Sequence, residues 1–345
     1  MQRKLGDFRR RGVMAVASYC KRMVMVIGLC LLCGARGCGR KASVAVLARL
    51  LFDPSAEEKL RLGAAVMLAE RSDDPEAARC LVAAMESEQP RVREAACGGL
   101  SYARALRGDS RVIGGLVRCL RDLEAPVRCA AIWSLPELCV AGDQRVMDAV
   151  VRCVSDADAC VRRGACRALG VLGGDGGLAA ATLQRCLIDS DSKVRVIAID
   201  ALGRLGPQAR PALRELVRCL AEDGESIVRS TAAKTLAKLG TDACEEVAGH
   251  LSLAIVDRDF EVQAAAGEAL VRLGGDGCEA AQDAVRTILA QGPDAIRIEV
   301  VGYIFGLDDG RGEWALDDLD RLAETSSGKL KAAAELAIKS MSWAK

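Results

Sequence analysis

The apolar residues of this 345-residue chain recur on two scales. Over short distances they follow a helical period. Counting from Val194, Ala198, Leu202 and Leu205 fall at +4, +8 and +11, one stripe along a helix of 3.6 residues per turn. Over long distances the stripe itself returns, each time opened by a Val-Arg-x-x-Ala phrase. The phrase stands at Val92-Arg93, Val127-Arg128, Val161-Arg162, Val194-Arg195 and Val228-Arg229, with weaker copies at Leu60-Arg61, Val262-Gln263, Ile296-Arg297 and Leu330-Lys331. The intervals between the second residues are 32, 35, 34, 33, 34, 34, 34 and 34. Such regularity marks a repeat architecture.

A second helical stretch precedes most copies, as in Val112 to Leu120, Val146 to Val154, Leu213 to Leu220 and Val247 to Ile255. Each unit therefore reads helix, turn, helix, turn. Gly173, Gly206, Gly240 and Gly274 stand just past second-helix stripes, where glycine commonly ends a helix. No alternating two-residue pattern of useful length predicts a sheet. A two-helix unit cannot cover its stripe alone, but stacked against its neighbours it can. The predicted fold is all-α, an α-solenoid of about nine two-helix repeats over residues 42–345.

Composition agrees with this picture. Aromatic residues make up 3% of the chain and hydrophobic ones 51%, so the core is built from small and medium aliphatics. Small side chains let helices approach to about 8–10 Å. The net charge is +1, which provides no global basic field for nucleic acid. The one histidine, His250, excludes any site needing two.

Residues 1–37 differ from the rest. They hold eight basic residues and one acid, Asp7, and an uncharged run from Met23 to Ala35 follows Lys21-Arg22. That order resembles a secretory signal, and the run is too short to span a bilayer as a normal helix. Ala35-Arg36-Gly37-Cys38 resembles a degenerate bacterial lipobox, with Arg36 departing from its pattern and Cys38 in the lipidated position. The expectation is a signal peptide or N-terminal membrane anchor over residues 1–37, with an exported or envelope-tethered protein behind it. A cytoplasmic protein with an N-terminal extension is the alternative. Without this segment the net charge of the remainder is −6, which argues further against phosphate-rich partners.

The best copies, Val161 to Gly173, Val194 to Gly206, Val228 to Gly240 and Val262 to Gly274, resemble short HEAT repeats of the kind found in phycobilisome lyases. Tetratricopeptide repeats, which share the period, want an early Trp-x-x-Leu-Gly and a late Pro that this chain lacks in register. The resemblance covers about residues 42–343. It implies a helical array that binds proteins, and it leaves function open because such arrays serve many roles. Deoxyhypusine hydroxylases, also HEAT proteins, hold iron with His-Glu pairs. Here His250 is followed by Leu251 and no His-Glu pair exists, so neither that activity nor a metal or other cofactor is expected.

Six residues before the repeat arginines stand Asp122, Asp156, Asp189, Asp223 and Asp257, each in the turn between the two helices. With Arg128, Arg162, Arg195 and Arg229 they form either a row of carboxylates for acid-base work or a structural ladder. A position repeated in every unit favours the ladder, because an active site needs a local cluster. Cys119, Cys153, Cys186 and Cys219 form another column, expected to be buried, unbridged and hydrophobic in role. The resemblance also implies that second helices line a concave groove. Positions +6 and +10 then supply Tyr102 and Trp133 as apolar anchors, and Arg167, Asp200, Arg204, Lys234, Lys238, Glu268 and Arg272 as a mixed-charged, locally basic middle. Pro136 is expected to kink the Trp133 helix. The reading is a non-catalytic scaffold for protein partners at the cell envelope; an accessory enzyme or chaperone related to HEAT-type lyases is the alternative.

Overall fold

The computed structural model describes residues 43–343 apart from positions 54, 141, 174–175, 240–242 and 308–310. The expected signal segment, Cys38 and the Gly240 helix end lie outside the described residues. Helices alternate with short turns, and no strand occurs among the described residues. The first pairs are α1 (Val44–Phe52) with α2 (Glu58–Ala69), α3 (Pro75–Ala84) with α4 (Pro90–Leu100), α5 (Ser110–Cys119) with α6 (Ala125–Leu138), and α7 (Gln144–Cys153) with α8 (Ala159–Leu172). They continue as α9 (Gly177–Cys186) with α10 (Ser192–Leu205), α11 (Leu213–Glu222) with α12 (Ser226–Leu239), and α13 (Cys244–Ala254) with α14 (Phe260–Gly275). The last are α15 (Glu279–Gln291) with α16 (Asp294–Phe305), and α17 (Leu316–Thr325) with α18 (Gly328–Trp343).

Local chemistry fixes where these helices begin. Asp109 accepts from the N–H groups of Arg111 and Val112, and Asp143 does the same for Arg145 and Val146. Each satisfies donors that the first turn leaves without an intrahelical partner. Proline stands in the first turn of α3, α4 and α6, where its missing N–H costs nothing. Pro136 does not end α6, which runs on to Leu138 before the chain turns extended at Cys139.

The chain forms two compact units, one ending at Ala168 and one beginning at Leu169. In the first, α2 packs on α4 and α4 on α6. In the second, α10, α12, α14, α16 and α18 stack in succession. The stripe read from the sequence is the seam of these stacks. Val194, Ala198 and Leu202 are fully buried, as are Val228, Ala232 and Leu236, and Val262, Ala266 and Leu270.

Where stacked helices come closest, the side chain disappears. A Cβ placed on Gly99 would lie 2.8 Å from the Ala65 carbonyl carbon, and one on Gly170 would lie 2.7 Å from the Ala201 Cβ. The helix-ending glycines split into two kinds. Gly173 and Gly206 take left-handed φ values of 59° and 61° directly after α8 and α10. Gly274 does not end its helix: α14 continues to Gly275, and the left-handed residue is Gly277, at 93°. Gly274 is instead a contact position, its absent Cβ leaving room for the Trp314 ring.

This packing makes a signed prediction. Gly99→Ala forces backbone against backbone and is expected to cost about 1–3 kcal/mol. Gly302→Ala, inside α16 with nothing within 4 Å of the added carbon, should stabilise by about 0.5–1 kcal/mol. Chemical denaturation of the two variants checks the pair; equal effects would mean that stacking is looser than this geometry.

Candidate functional site

Turns between the two helices of successive repeats carry an arginine–aspartate ladder, whose aspartates run from Asp122 to Asp257. Arg93 donates from Nε and Nη2 to the two carboxylate oxygens of Asp122 in the next repeat, at 2.6 and 2.9 Å. Arg128 meets Asp156 at 2.8 and 2.7 Å, Arg195 meets Asp223 at 2.7 and 2.7 Å, and Arg229 meets Asp257 at 2.8 and 2.8 Å. The third nitrogen, Nη1, turns back to the main chain of its own repeat. It donates to the carbonyls of Ser87, Asp122, Asp189 and Asp223 at 2.7, 2.9, 2.8 and 2.8 Å. Arg162 does likewise with the Asp156 carbonyl at 2.9 Å. One planar guanidinium thus ties its own turn to the following one, a geometry lysine cannot reproduce.

Each aspartate is also held by its own backbone. The N–H groups of Glu124, Asp158, Asp191, Glu225 and Asp259 donate to Asp122, Asp156, Asp189, Asp223 and Asp257 respectively, each two residues back. Helix capping belongs to the next acid along: Asp158, Asp191 and Asp259 accept from first-turn N–H groups of α8, α10 and α14. At its C-terminal end the ladder changes chemistry. Gln263 replaces arginine and keeps only the bond to its own turn, donating to the Asp257 carbonyl at 2.6 Å. Gln291 stands where the next aspartate would be.

Burial alone would raise the pKa of Asp223. The Arg195 hydrogen bonds, the Glu225 N–H and the charges of Arg195 and Arg229 outweigh it, and the carboxyl sits below its ordinary value. Asp122, Asp156 and Asp257 show the same balance with Arg93, Arg128 and Arg229. These four carboxylates are ionised and engaged, and each joins its repeat to the preceding one.

The second-helix face offers a different surface. In the first unit, Tyr102 lies on the turn after α4 and is 37% exposed. Trp133 is half-buried: its Nε1 donates to the Cys160 carbonyl at 3.4 Å, and its ring lies against Gly164 of α8. Arg167 caps it, with its guanidinium 5.3 Å from the ring centroid and Nη2 donating to Glu137 at 2.6 Å. In the second unit, Arg204 pairs with Asp200 at 2.9 Å and Arg272 with Glu268 at 3.8 Å. Lys234 is half-buried and Lys238 exposed. The face that reads as locally basic therefore carries its arginines paired with carboxylates, two of them one helical turn away.

Two thiol features complete the inventory. Cys119, Cys153, Cys186 and Cys219 are buried and unbridged, with sulfurs directed at main-chain carbonyls. Outside that column, Cys129 of α6 and Cys160 of α8 form a disulfide with Cα atoms 5.9 Å apart. Their separation of 31 residues departs from the repeat period, so a search for columns passes over them. His250 lies half-buried on α13, and no cluster of three potential metal ligands occurs among the described residues.

A family model for HEAT repeats matches residues 43–136, 113–189 and 179–270. The chain belongs to the HEAT-repeat family. Among solved structures, this HEAT-repeat chain is similar to a chain from a structure in which Kap95p binding induces the switch loops of RanGDP to adopt the GTP-bound conformation. The identity is 16% and the TM-score 0.62, over 86% of this chain and 46% of that one. The likeness shows the fold, and this chain spans about half the length of that relative. No curated protein matches the chain.

The HEAT ladder makes a prediction in two parts. Asp223→Ala leaves Arg195 without its carboxylate and should lower stability by about 1–3 kcal/mol. The pH dependence has a definite sign. Because the folded carboxyl titrates below its ordinary value of 3.8, its contribution is complete above that value and is lost as pH falls through the depressed one. Wild type should therefore lose melting temperature between pH 5 and pH 2 more steeply than Asp223→Asn. Parallel curves for the two proteins would remove the ladder as a source of stability.

Proposed function

We propose that this HEAT-repeat protein is a non-catalytic scaffold that holds protein partners through its second helices at the cell envelope. The observation that carries the reading is the division of labour along each repeat. Ladder carboxylates join neighbouring repeats, while Arg204, Lys238 and Arg272 project to solvent from second helices and Tyr102 lies part-exposed on the turn after α4. Tyrosine and arginine are the residues that concentrate interface energy. The HEAT fold, shared with a chain of the Kap95p–RanGDP structure, supports protein partners over small substrates.

The envelope part rests on two separate features. The N-terminal segment has a basic stretch, an uncharged run and small residues before Cys38. The Cys129–Cys160 disulfide favours an oxidising compartment. No helix among the described residues is long and apolar enough to cross a membrane.

Trp133 has a double role in this proposal. Half-buried on α6, it is held by the Cys160 carbonyl and Gly164 of α8 and by Arg167 over its ring. Trp133→Ala is accordingly expected to lower melting temperature before it lowers affinity. Tyr102→Ala should weaken binding by about 2 kcal/mol. Alanine at both Lys234 and Lys238 should slow association at low salt, an effect that fades as salt screens it. The test is affinity capture from envelope and soluble fractions, followed by binding kinetics of the captured partner with each variant. A partner found only in the soluble fraction would overturn the envelope reading. Unchanged affinity in all folded variants would overturn the choice of face.

A further inference from the structure

The cysteines left aside by both the column and the disulfide include a second close pair. Cys244 opens α13 and Cys278 immediately precedes α15, so they occupy equivalent positions 34 residues apart in consecutive repeats. The chain is turned onto Cys278 by a helix-ending motif: its N–H donates to the Leu273 carbonyl at 3.0 Å, and Gly277 beside it has a φ of 93°. Both cysteines line one cavity of about 80 Å³ with Leu273, Asp276 and Gly277. Neither is bridged; Cys244 is half-buried and Cys278 is 5% exposed.

Other thiols differ in one respect each. Cys97 and Cys119 also interact, but they are 0% and 5% exposed, so both members are sealed in the core. Cys80 is half-buried, among Glu76, Arg79 and Asp74 rather than beside a second thiol. Cys244 and Cys278 combine a reachable thiol with a buried neighbour at the mouth of a cavity.

We propose that Cys244 and Cys278 form a dithiol site that reacts with small-molecule disulfides and closes into an inter-repeat disulfide. The more exposed Cys244 loses its proton to solvent and attacks one sulfur of the reagent. The reagent S–S bond breaks, a mixed disulfide forms on Cys244, and the first reagent thiolate leaves and takes up a proton. Cys278 then gives up its proton and attacks the Cys244 sulfur, expelling the second reagent thiol. Two protein thiols are oxidised to one disulfide, and one reagent disulfide is reduced to two thiols.

The order of events follows from the surroundings. Burial first, and the neighbouring Cys244 thiol next, push the Cys278 thiol up to about 11, which keeps it from attacking first. The N–H groups of Ala281 and Ala280 at the start of α15 act the other way. Once Cys244 is tied up as a mixed disulfide, its thiol no longer opposes ionisation of Cys278, and those N–H groups favour the thiolate that completes the bridge.

The test uses the full chain, folded, exposed to oxidised glutathione, then alkylated and mapped by mass spectrometry of its peptides. The expected map links Cys244 to Cys278, leaves a glutathionyl group on Cys80, and leaves Cys97 and Cys119 unmodified. In Cys278→Ser and Cys278→Ala the glutathionyl group should persist on Cys244; in Cys244→Ser, Cys278 should stay unmodified. Phenylarsine oxide, which bridges two thiols, should protect Cys244 and Cys278 together from alkylation. A glutathionyl group as stable on wild-type Cys244 as on Cys80 would overturn the proposal. So would a Cys244–Cys278 link that appears only after denaturation, or no modification of either residue.

Discussion

A two-helix unit of this chain has one apolar stripe and nothing of its own to cover it. Everything else follows from the need to cover that stripe with the next unit. Val194, Ala198 and Leu202 are buried because another repeat lies against them, and each repeat supplies the same service in turn. The constraint selects small residues at the contacts, down to glycine at Gly99 and Gly170, where even a methyl group would collide with the neighbouring helix. It also creates an edge where successive turns lie side by side. There a guanidinium can reach its own carbonyl and the next repeat's carboxylate at once, as Arg195 does with Asp189 and Asp223.

The two kinds of contact do different work. Apolar stacking resists slips along the helix axis chiefly at close contacts such as Gly99 and Gly170, because elsewhere one aliphatic ridge resembles another. A bidentate pair resists them wherever it forms, since both N–H groups must meet both oxygens. With side-chain exposures of 14% and 8%, Arg195 and Asp223 are shielded enough for that geometry to count and wet enough to escape the full desolvation penalty. The ladder therefore sets the register between repeats, and the stripe supplies most of the attraction.

The array was legible in the sequence because repetition turns weak local signals into a strong one. The ladder aspartates could be found by counting back six residues from each repeat arginine. Features that break the period were not legible in that way. Cys129 and Cys160 pair across a 31-residue separation that falls off the repeat period. Gly274 has the spacing of a helix end yet serves as a contact for Trp314, because α14 runs one residue further before turning. The charge of the second-helix face was misleading for a simpler reason. The partners of Arg204 and Arg272 stand four residues earlier and can be read from spacing, but Glu137 meets Arg167 from the preceding repeat. Trp133 reads as a free anchor until α8 is seen to supply Gly164 and the Cys160 carbonyl against it.

The ladder couples neighbouring repeats instead of merely decorating their turns. A double-mutant cycle on Arg195 and Asp223 measures that coupling directly. Arg195→Ala, Asp223→Ala and the double variant are compared with wild type by equilibrium unfolding at neutral pH and moderate salt. The double variant should lose less than the sum of the single ones, with an interaction energy of about 1–3 kcal/mol. Additive losses, with an interaction energy near zero, would contradict it and leave apolar stacking alone to hold the repeats in register.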